Sequence, residues 1–443
     1  MMKKTLSKLI TVSVMITLIG MILISAFVDI RAEMFDVVSV TGINVEENET
    51  NNGTFVSSAT TAPGGGVVTS TAAQSPGAII SSATTEIGAP ITGGANPANG
   101  ANPANGANPA NGANPANGIN SPGTFNTLPG MNIHPLTGLN TTNDLSYFRP
   151  VAVSISNQKG ALPTNATNGV SQADIIYEFL VEAGGTRLLG IFQDFSTVGV
   201  VGSIRSARHY SVQLAEAYNA IFIHAGGSPL GFEEIENRGI TNFDAVTGRR
   251  AEIFVRDKNR IPGETVLNYH SVTTSGARFV DSLPSHNIKL IHDNNFRQAL
   301  RFTDNPIPMG ETALNVNVKF SAGKNSTFKY DQTQNIYYMS QYGSQFTDAN
   351  NNAPVTFTNL LILEIPISDL VGHGEGSGRQ DMSTVGSGSG YFVSGGRYVK
   401  INWSRADKSS QFIYTYENGS EIELGRGKTY IGIVPTGSPP SFS

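Results

Sequence analysis

The sequence predicts an α/β domain, a mixed sheet with helices, followed by a mostly antiparallel β domain. Both are carried behind an N-terminal transmembrane helix and a disordered spacer. Three observations predict this order. An uncharged run of about twenty residues, Leu9 to Val28, follows Lys3, Lys4 and Lys8, long enough to cross a bilayer core of roughly 30 Å as a helix. The hexapeptide ANPANG then occurs four times in succession, from Ala95 to Gly118. Beyond Met131 apolar runs alternate between strand and helix periods, and from about Asn315 only short strand signals remain.

Each segment has its own physical reason. Residues 1–8 form a cytoplasmic tail, because the lysines precede the apolar run and positive charge stays inside. Residues 9–28 are an anchor; the rival, a cleaved signal peptide, has a shorter apolar core and a small-x-small site, which Ile30-Arg31-Ala32 matches poorly. Either reading exports the rest of the chain. Residues 29–130 form the spacer. From Ala32 to Phe148 there is no lysine or arginine, and a six-residue period with Pro and Gly in every unit builds no helix. Coil of about 100 residues reaches roughly 50–60 Å.

Residues 131–308 form the α/β domain. RPVAVSIS (149–156) reads as a strand, and DIIYEFLVE (174–182) alternates strictly before a turn at Ala183-Gly184-Gly185. TRLLGIFQDF (186–195) returns as its hairpin partner, with Glu182 and Arg187 flanking the turn. Ala207, Tyr210, Ser211, Leu214, Ala215 and Tyr218 fall at helical spacing, and NAIFIHA (219–225) reads as a buried strand. A helix near Phe232–Asn237, a strand near Ile253–Val255 and a helix near Ser275–Asp281 continue the mixed pattern. Residues 309–437 form the β domain, with Asn418-Gly419 as a hairpin cue, and 438–443 are a tail. The run GSGSG (386–390) is expected to turn a hairpin.

Composition excludes several functions. There is no cysteine, which removes disulfides, thiolate metal sites, cysteine nucleophiles and an acylated cysteine anchor. A net charge of −5 argues against nucleic acid as a partner. No GxxxxGK[ST] or HExxH occurs, and GSGSG lacks the serine of a nucleophile elbow. No cofactor, metal or catalytic residue is therefore assigned.

The remaining chemistry centres on VGSIRSARHY (201–210). Arg205 and Arg208 lie three residues apart at a predicted helix start, where free backbone N–H groups favour anions. Two guanidiniums there oppose the helix dipole and require compensation. They either grip a phosphate or carboxylate, or pair internally with Asp174, Glu178 or Glu182. His224 ends a buried strand before Gly226-Gly227-Ser228-Pro229; strand carboxyl ends host α/β active sites, although a lone histidine there also serves as a satisfied core residue. Asp257, beside Arg256, is a similar candidate.

HPLTGL (134–139), SQADIIYEFLVEAGGTRLLGIF (171–192), VGSIRSARHY (201–210) and AIFIHAGGSP (220–229) resemble the YerB-like family of bacterial lipoproteins. So do GSGSGYFVSGGRYVKINWSR (386–405) and GRGKTYIGIVP (425–435). The resemblance spans about Met131 to Pro435. It implies two conserved domains, an envelope location and no known reaction. His270 matches a family histidine, although Ser271 stands where the family has asparagine. The lipoprotein cysteine is absent, and a transmembrane helix takes its place. Two functions remain open: a membrane-anchored protein binding an anionic wall polymer, a lipid-linked phosphate or an envelope protein partner, and a phosphotransferase-like enzyme acting on envelope glycopolymers.

Overall fold

The computed structural model describes residues 131–443 apart from 294, 307–308 and 372–377, together with two short strands, Glu47–Glu49 and Phe55–Ser57, that pair antiparallel. Its contacts separate residues 1–110 from residues 111–443. The anchor and spacer expected at 9–28 and 29–130 lie, apart from that strand pair, outside the described residues. Among the described residues no helix is long and apolar enough to cross a membrane.

In chain order, a short antiparallel pair, Asn132–Ile133 with Asn140–Thr141, precedes β1 (Val151–Ser156), β2 (Ile175–Leu180), β3 (Thr186–Phe192) and β4 (Val200–Gly202). Then come α1 (His209–Glu216), β5 (Ile221–His224), α2 (Pro229–Asn237) and β6 (Asn242–Asp244). β7 (Val255–Arg256), β8 (Val272–Ser275) and α3 (Gly276–Ser282) follow. The strand expected near Ile253–Val255 is a 3-10 turn, Ala251–Ile253, leading into β7. The later elements that build the two large sheets are all strands. They are β9 (Glu311–Thr312), β10 (Asn315–Ser321), β11 (Lys324–Asp331), β12 (Ile336–Gln341) and β13 (Asn359–Ile365). After them come β14 (Gly386–Ser394), β15 (Arg397–Arg405), β16 (Ile413–Tyr416), β17 (Thr429–Pro435) and β18 (Ser441–Phe442).

One eleven-stranded sheet runs through both sequence regions, in the order β6-β5-β1-β3-β2-β17-β13-β14-β15-β9, with β16 also paired to β15. The late strand β17 lies between β2 and β13, parallel to both. The α/β region and the β region are therefore successive in sequence but continuous in space. A mixed sheet of this kind needs both faces covered. Helix α1 packs on one face, where Tyr210 meets Phe179 at 5.2 Å between ring centres. On the other face lies a second, antiparallel sheet containing β12, β11, β10 and β18, and Phe328 of β11 packs against Tyr430 of β17 at 4.6 Å. β2 is buried along its whole length, which is why its alternation of apolar and polar residues does not mark a solvent face.

The glycine-serine run is strand rather than turn: residues 386–394 form β14. Its glycines make room for neighbours, since a Cβ on Gly388 would lie 2.8 Å from the Trp403 ring.

Candidate functional site

Residues 203–208 thread between the carboxyl ends of the parallel strands β1 and β5. Ile204 bridges Ile155 antiparallel, and the Arg205 N–H donates to Ser154 O at 2.9 Å. The Ala207 N–H donates to Gly226 O at 2.8 Å, and the Ser228 N–H to Ala207 O at 3.1 Å. Ser211 Oγ accepts the Arg208 N–H at 2.9 Å and so fixes the start of α1.

The register decides which side chains meet. The bridge at Ile155 and Ile204 puts Ser156 opposite Ser203 and Ser154 opposite Arg205, while β1 and β3 pair Ser156 with Arg187. Directly opposed residues in an antiparallel pair share a face. Ser154, Ser156, Ser203, Arg205 and Arg187 therefore share the face that carries α1. The hydrogen bonds agree: Arg187 Nη1 donates to Ser206 O at 2.7 Å, and Ser154 Oγ reaches the same oxygen at 3.4 Å.

Arg208 donates through Nε to Glu182 Oε1 at 2.9 Å and also through Nη2. Arg379, from far along the chain, places its Nε 3.3 Å from the same carboxylate oxygen. Arg205 donates to Tyr269 O at 2.9 Å and lies over the Tyr269 ring at 5.7 Å. Arg208 and Arg379 thus share one carboxylate oxygen, and the Arg187 and Arg205 guanidiniums lie close enough to feel the charge of that carboxylate. Among the described residues no carboxylate is in ion-pair contact with Arg187 or Arg205. Burial, followed by the neighbouring Arg208 charge, pushes Arg187 down to about 9, and the same two causes lower Arg205. Burial would raise Glu182, yet Arg208 and Arg187 hold it below the usual carboxylate value.

Ser156 Oγ, Ser203 Oγ, Arg205 Nε and His270 Nδ1 are buried side-chain polar atoms without a hydrogen-bond partner among the described residues. Such atoms are costly and rare in folded proteins. Here they gather on three touching segments beside an excess of positive charge.

The other residues singled out from the sequence fall elsewhere. Glu178 lies on the opposite face, where Lys324 pairs with it at 2.9 Å. Asp174 is at the far end of β2 and accepts the Gln193 N–H at 2.7 Å; burial raises it, against His134. Neither acid pairs with the arginines, because strand alternation turns one away and strand length removes the other. Arg187 likewise bonds Ser206 O rather than Glu182 across its turn. His224 is fully buried between Gly226 O (2.9 Å) and Asn242 Oδ1 (3.3 Å), and burial lowers it despite Asp244. Ser228 caps α2, its Oγ accepting the Gly231 N–H at 3.1 Å. Asp257 is exposed and caps Asn259 at 2.8 Å, while Arg256 donates to Asn268 O. His270 sits beside Arg205, pushed down to about 4 by burial and by the Arg205 and Arg260 charges.

Sequence reasoning missed Ser156, Ser203, Arg379 and a pair next to the cluster, His209 Nε2 and Asp381 Oδ1 at 2.8 Å. Arg379 and Asp381 both lie in GRQD (378–381), just after a glycine-rich stretch, but no local spacing links that segment to α1.

These features define an α/β–β protein with a shared central sheet and a cationic cluster at strand carboxyl ends. Residues 136–282 match the N-terminal domain, and residues 316–431 the C-terminal domain, of the family described as protein of unknown function DUF3048. The chain belongs to this family. It is 28% identical over 314 residues to the Bacillus subtilis (strain 168) protein named "Putative lipoprotein YerB", covering 70% of this chain and 88% of that one. The crystal structure of the YerB protein from Bacillus subtilis superposes with a TM-score of 0.59 at 28% identity, over 70% of this chain and 99% of that chain.

Proposed function

We propose that this is an extracytoplasmic cell-envelope protein, held at the membrane by its N-terminal segment, whose arginine cluster binds a phosphate-bearing envelope ligand. The supporting observation is the imbalance of charge: beside the Arg208–Glu182 ion pair, Arg187 and Arg205 lie close by, with no carboxylate in ion-pair contact with either among the described residues. A phosphate group satisfies guanidiniums in bidentate fashion. The serine hydroxyls of Ser156 and Ser203 add neutral donors on the same face. The name of the Bacillus subtilis relative supports attachment to the envelope.

The test is thermal melting of the full-length protein and its Arg205→Ala/Arg208→Ala variant. Each is run with a short polyprenyl phosphate, a glycerol-phosphate teichoic acid fragment and an uncharged muropeptide. A phosphate-bearing ligand at a hundredfold excess over Kd should raise the wild-type midpoint by about 5 °C and leave the variant unmoved. The arm that responds identifies the phosphate source. A variant that melts much lower, with no ligand moving the wild type, overturns the reading and leaves the arginines a structural cluster.

A second reading, an enzyme modifying envelope glycopolymers, rests on the His209–Asp381 pair beside Arg208. A histidine held by a carboxylate is a proton-transfer arrangement. Phosphodiester cleavage of the teichoic acid fragment that is lost in His209→Gln, with ligand binding retained, would support it.

A further inference from the structure

The outer face of β13, β14, β15 and β16 carries chemistry that the arginine cluster does not use. Register sets Ser389 opposite Asn402 and Asn402 opposite Thr415, and Ser389 Oγ donates to Glu364 Oε2 at 3.0 Å. Four strands thus present one row of hydroxyl, amide and carboxylate groups, about 14 Å long at ordinary strand spacing. Aromatic rings flank this row further along β14 and β15. Tyr398 stacks on Phe442 at 3.6 Å with the rings 7° from parallel, and Tyr391 meets Phe442 at 5.6 Å.

The sheet edge is notched at the same place. β9 pairs with Arg397 and Tyr398, and β16 pairs with Ile401 to Ser404. Val399 and Lys400 are left between them on an unpaired stretch of edge. The notch opens a groove of about 810 Å³ lined by Tyr391, Tyr398, Lys400, Tyr416, Glu311 and Asn418.

We propose that this groove binds an uncharged saccharide chain. Tyrosine rings offer flat apolar faces with polar tips, suited to the C–H faces and hydroxyls of a pyranose. Asn418 and Ser420 in the groove, and Ser389, Asn402 and Thr415 of the row that adjoins it, supply both donors and acceptors at neutral charge. The groove has the size of small-ligand sites. Two alternatives fit worse. A peptide adding to the sheet edge would form a strand of about five residues, and among the described residues only Val399 and Lys400 are unpaired here. A polyanion meets Glu311, Glu364 and Glu417 against a single Lys400, a field of the wrong sign. The site is independent of the arginine cluster: β3, which carries Arg187, is four strands from β14 and five from β15 in the sheet order.

The test is calorimetric titration of the full-length protein with chitotetraose and with maltotetraose. Wild type should bind at least one of them. Tyr391→Ala should weaken that binding about tenfold, the worth of one good aromatic contact, while Arg205→Ala leaves it unchanged. If Tyr391→Ala fails to fold, Asn402→Ala, at an exposed position, takes its place with the same expected direction. No heat with either saccharide at about 10 mM, or wild-type affinity in the variants, overturns the proposal.

Discussion

Glu178→Ala should lower the unfolding free energy by about 3–5 kcal/mol, read as a fall in the urea midpoint. Glu178 and Lys324 are both buried, and their ion pair lies between the two large sheets. Oε1 of Glu178 accepts from Asn157 Nδ2 at 2.8 Å and Thr186 Oγ1 at 2.6 Å. Oε2 accepts from Ser326 Oγ and Tyr430 OH, both at 2.8 Å. The carboxylate therefore joins β2, β3 and β17 of the central sheet to β11 of the second one. Removing it strands the Lys324 ammonium with neutral partners, Asn325 O, Ser326 Oγ and Gln341 Oε1. An uncompensated buried charge is the costly outcome, and the pair itself need not stabilise much. The Glu178→Ala/Lys324→Met double variant should accordingly be more stable than Glu178→Ala alone. If the single variant loses less than about 1 kcal/mol, or the double variant is the less stable of the two, the coupling described here is wrong.

The same carboxylate sets an acid limit on stability. Burial by itself would raise Glu178, but Lys324 and the surrounding donors outweigh it and hold the group below its ordinary value. A depressed carboxylate contributes stability that is complete above the unfolded value of about 4.3 and is lost as pH falls through the folded value. Stability of the wild type should therefore fall on acidification more steeply than that of the double variant.

The local parts of this fold were legible and the long-range parts were not. Strict alternation in DIIYEFLVE shows that Tyr177 and Phe179 share one face and Glu178 the other, and the structure keeps that pattern in β2. What alternation cannot show is that both faces are covered, because the cover on the Glu178 face comes from Lys324 and Ser326 of β11, over 140 residues later. Glu178 was for that reason a plausible arginine partner in sequence and is a buried bridge in three dimensions. The stretch around Arg205 and Arg208 stood out because two cations at a helix start oppose the backbone dipole. Of the three acids considered, only Glu182 reaches Arg208, because β2 ends at Leu180 and Glu182 opens a 3-10 turn, Glu182–Gly184, where strand alternation no longer sets the face. Ser156 and Ser203 carry no signal of their own; it is the register of β1 with residues 203–205 that brings them to the arginines. Arg379 arrives from beyond a glycine-rich stretch, where spacing along the chain says nothing about distance in space.

Glu182→Gln separates structure from binding by acting on the two in opposite directions. It removes the carboxylate that Arg208 and Arg379 share while keeping the side-chain shape. Stability should fall by about 2 kcal/mol, since a largely buried guanidinium loses its charged partner. Affinity for a phosphate ligand should rise. At an effective dielectric of about 20, a carboxylate roughly 6 Å from a bound anion costs it about 2–3 kcal/mol, so removing that charge should tighten binding tenfold or more. Acid should imitate the substitution. Arg208 and Arg187 hold Glu182 below the ordinary value, so the carboxylate stays ionised down through the usual range and protonates only as pH falls through its lowered value. A glycerol phosphodiester keeps its charge over that interval, so its affinity for wild type should climb toward that of Glu182→Gln as pH drops, while the variant stays flat. Equal affinity in the two proteins, together with the expected loss of stability, would make Glu182 and its arginines a structural ion cluster. A tighter-binding but less stable variant would mean that the cluster carries its surplus of positive charge for a ligand, at a cost in stability that Glu182 only partly offsets.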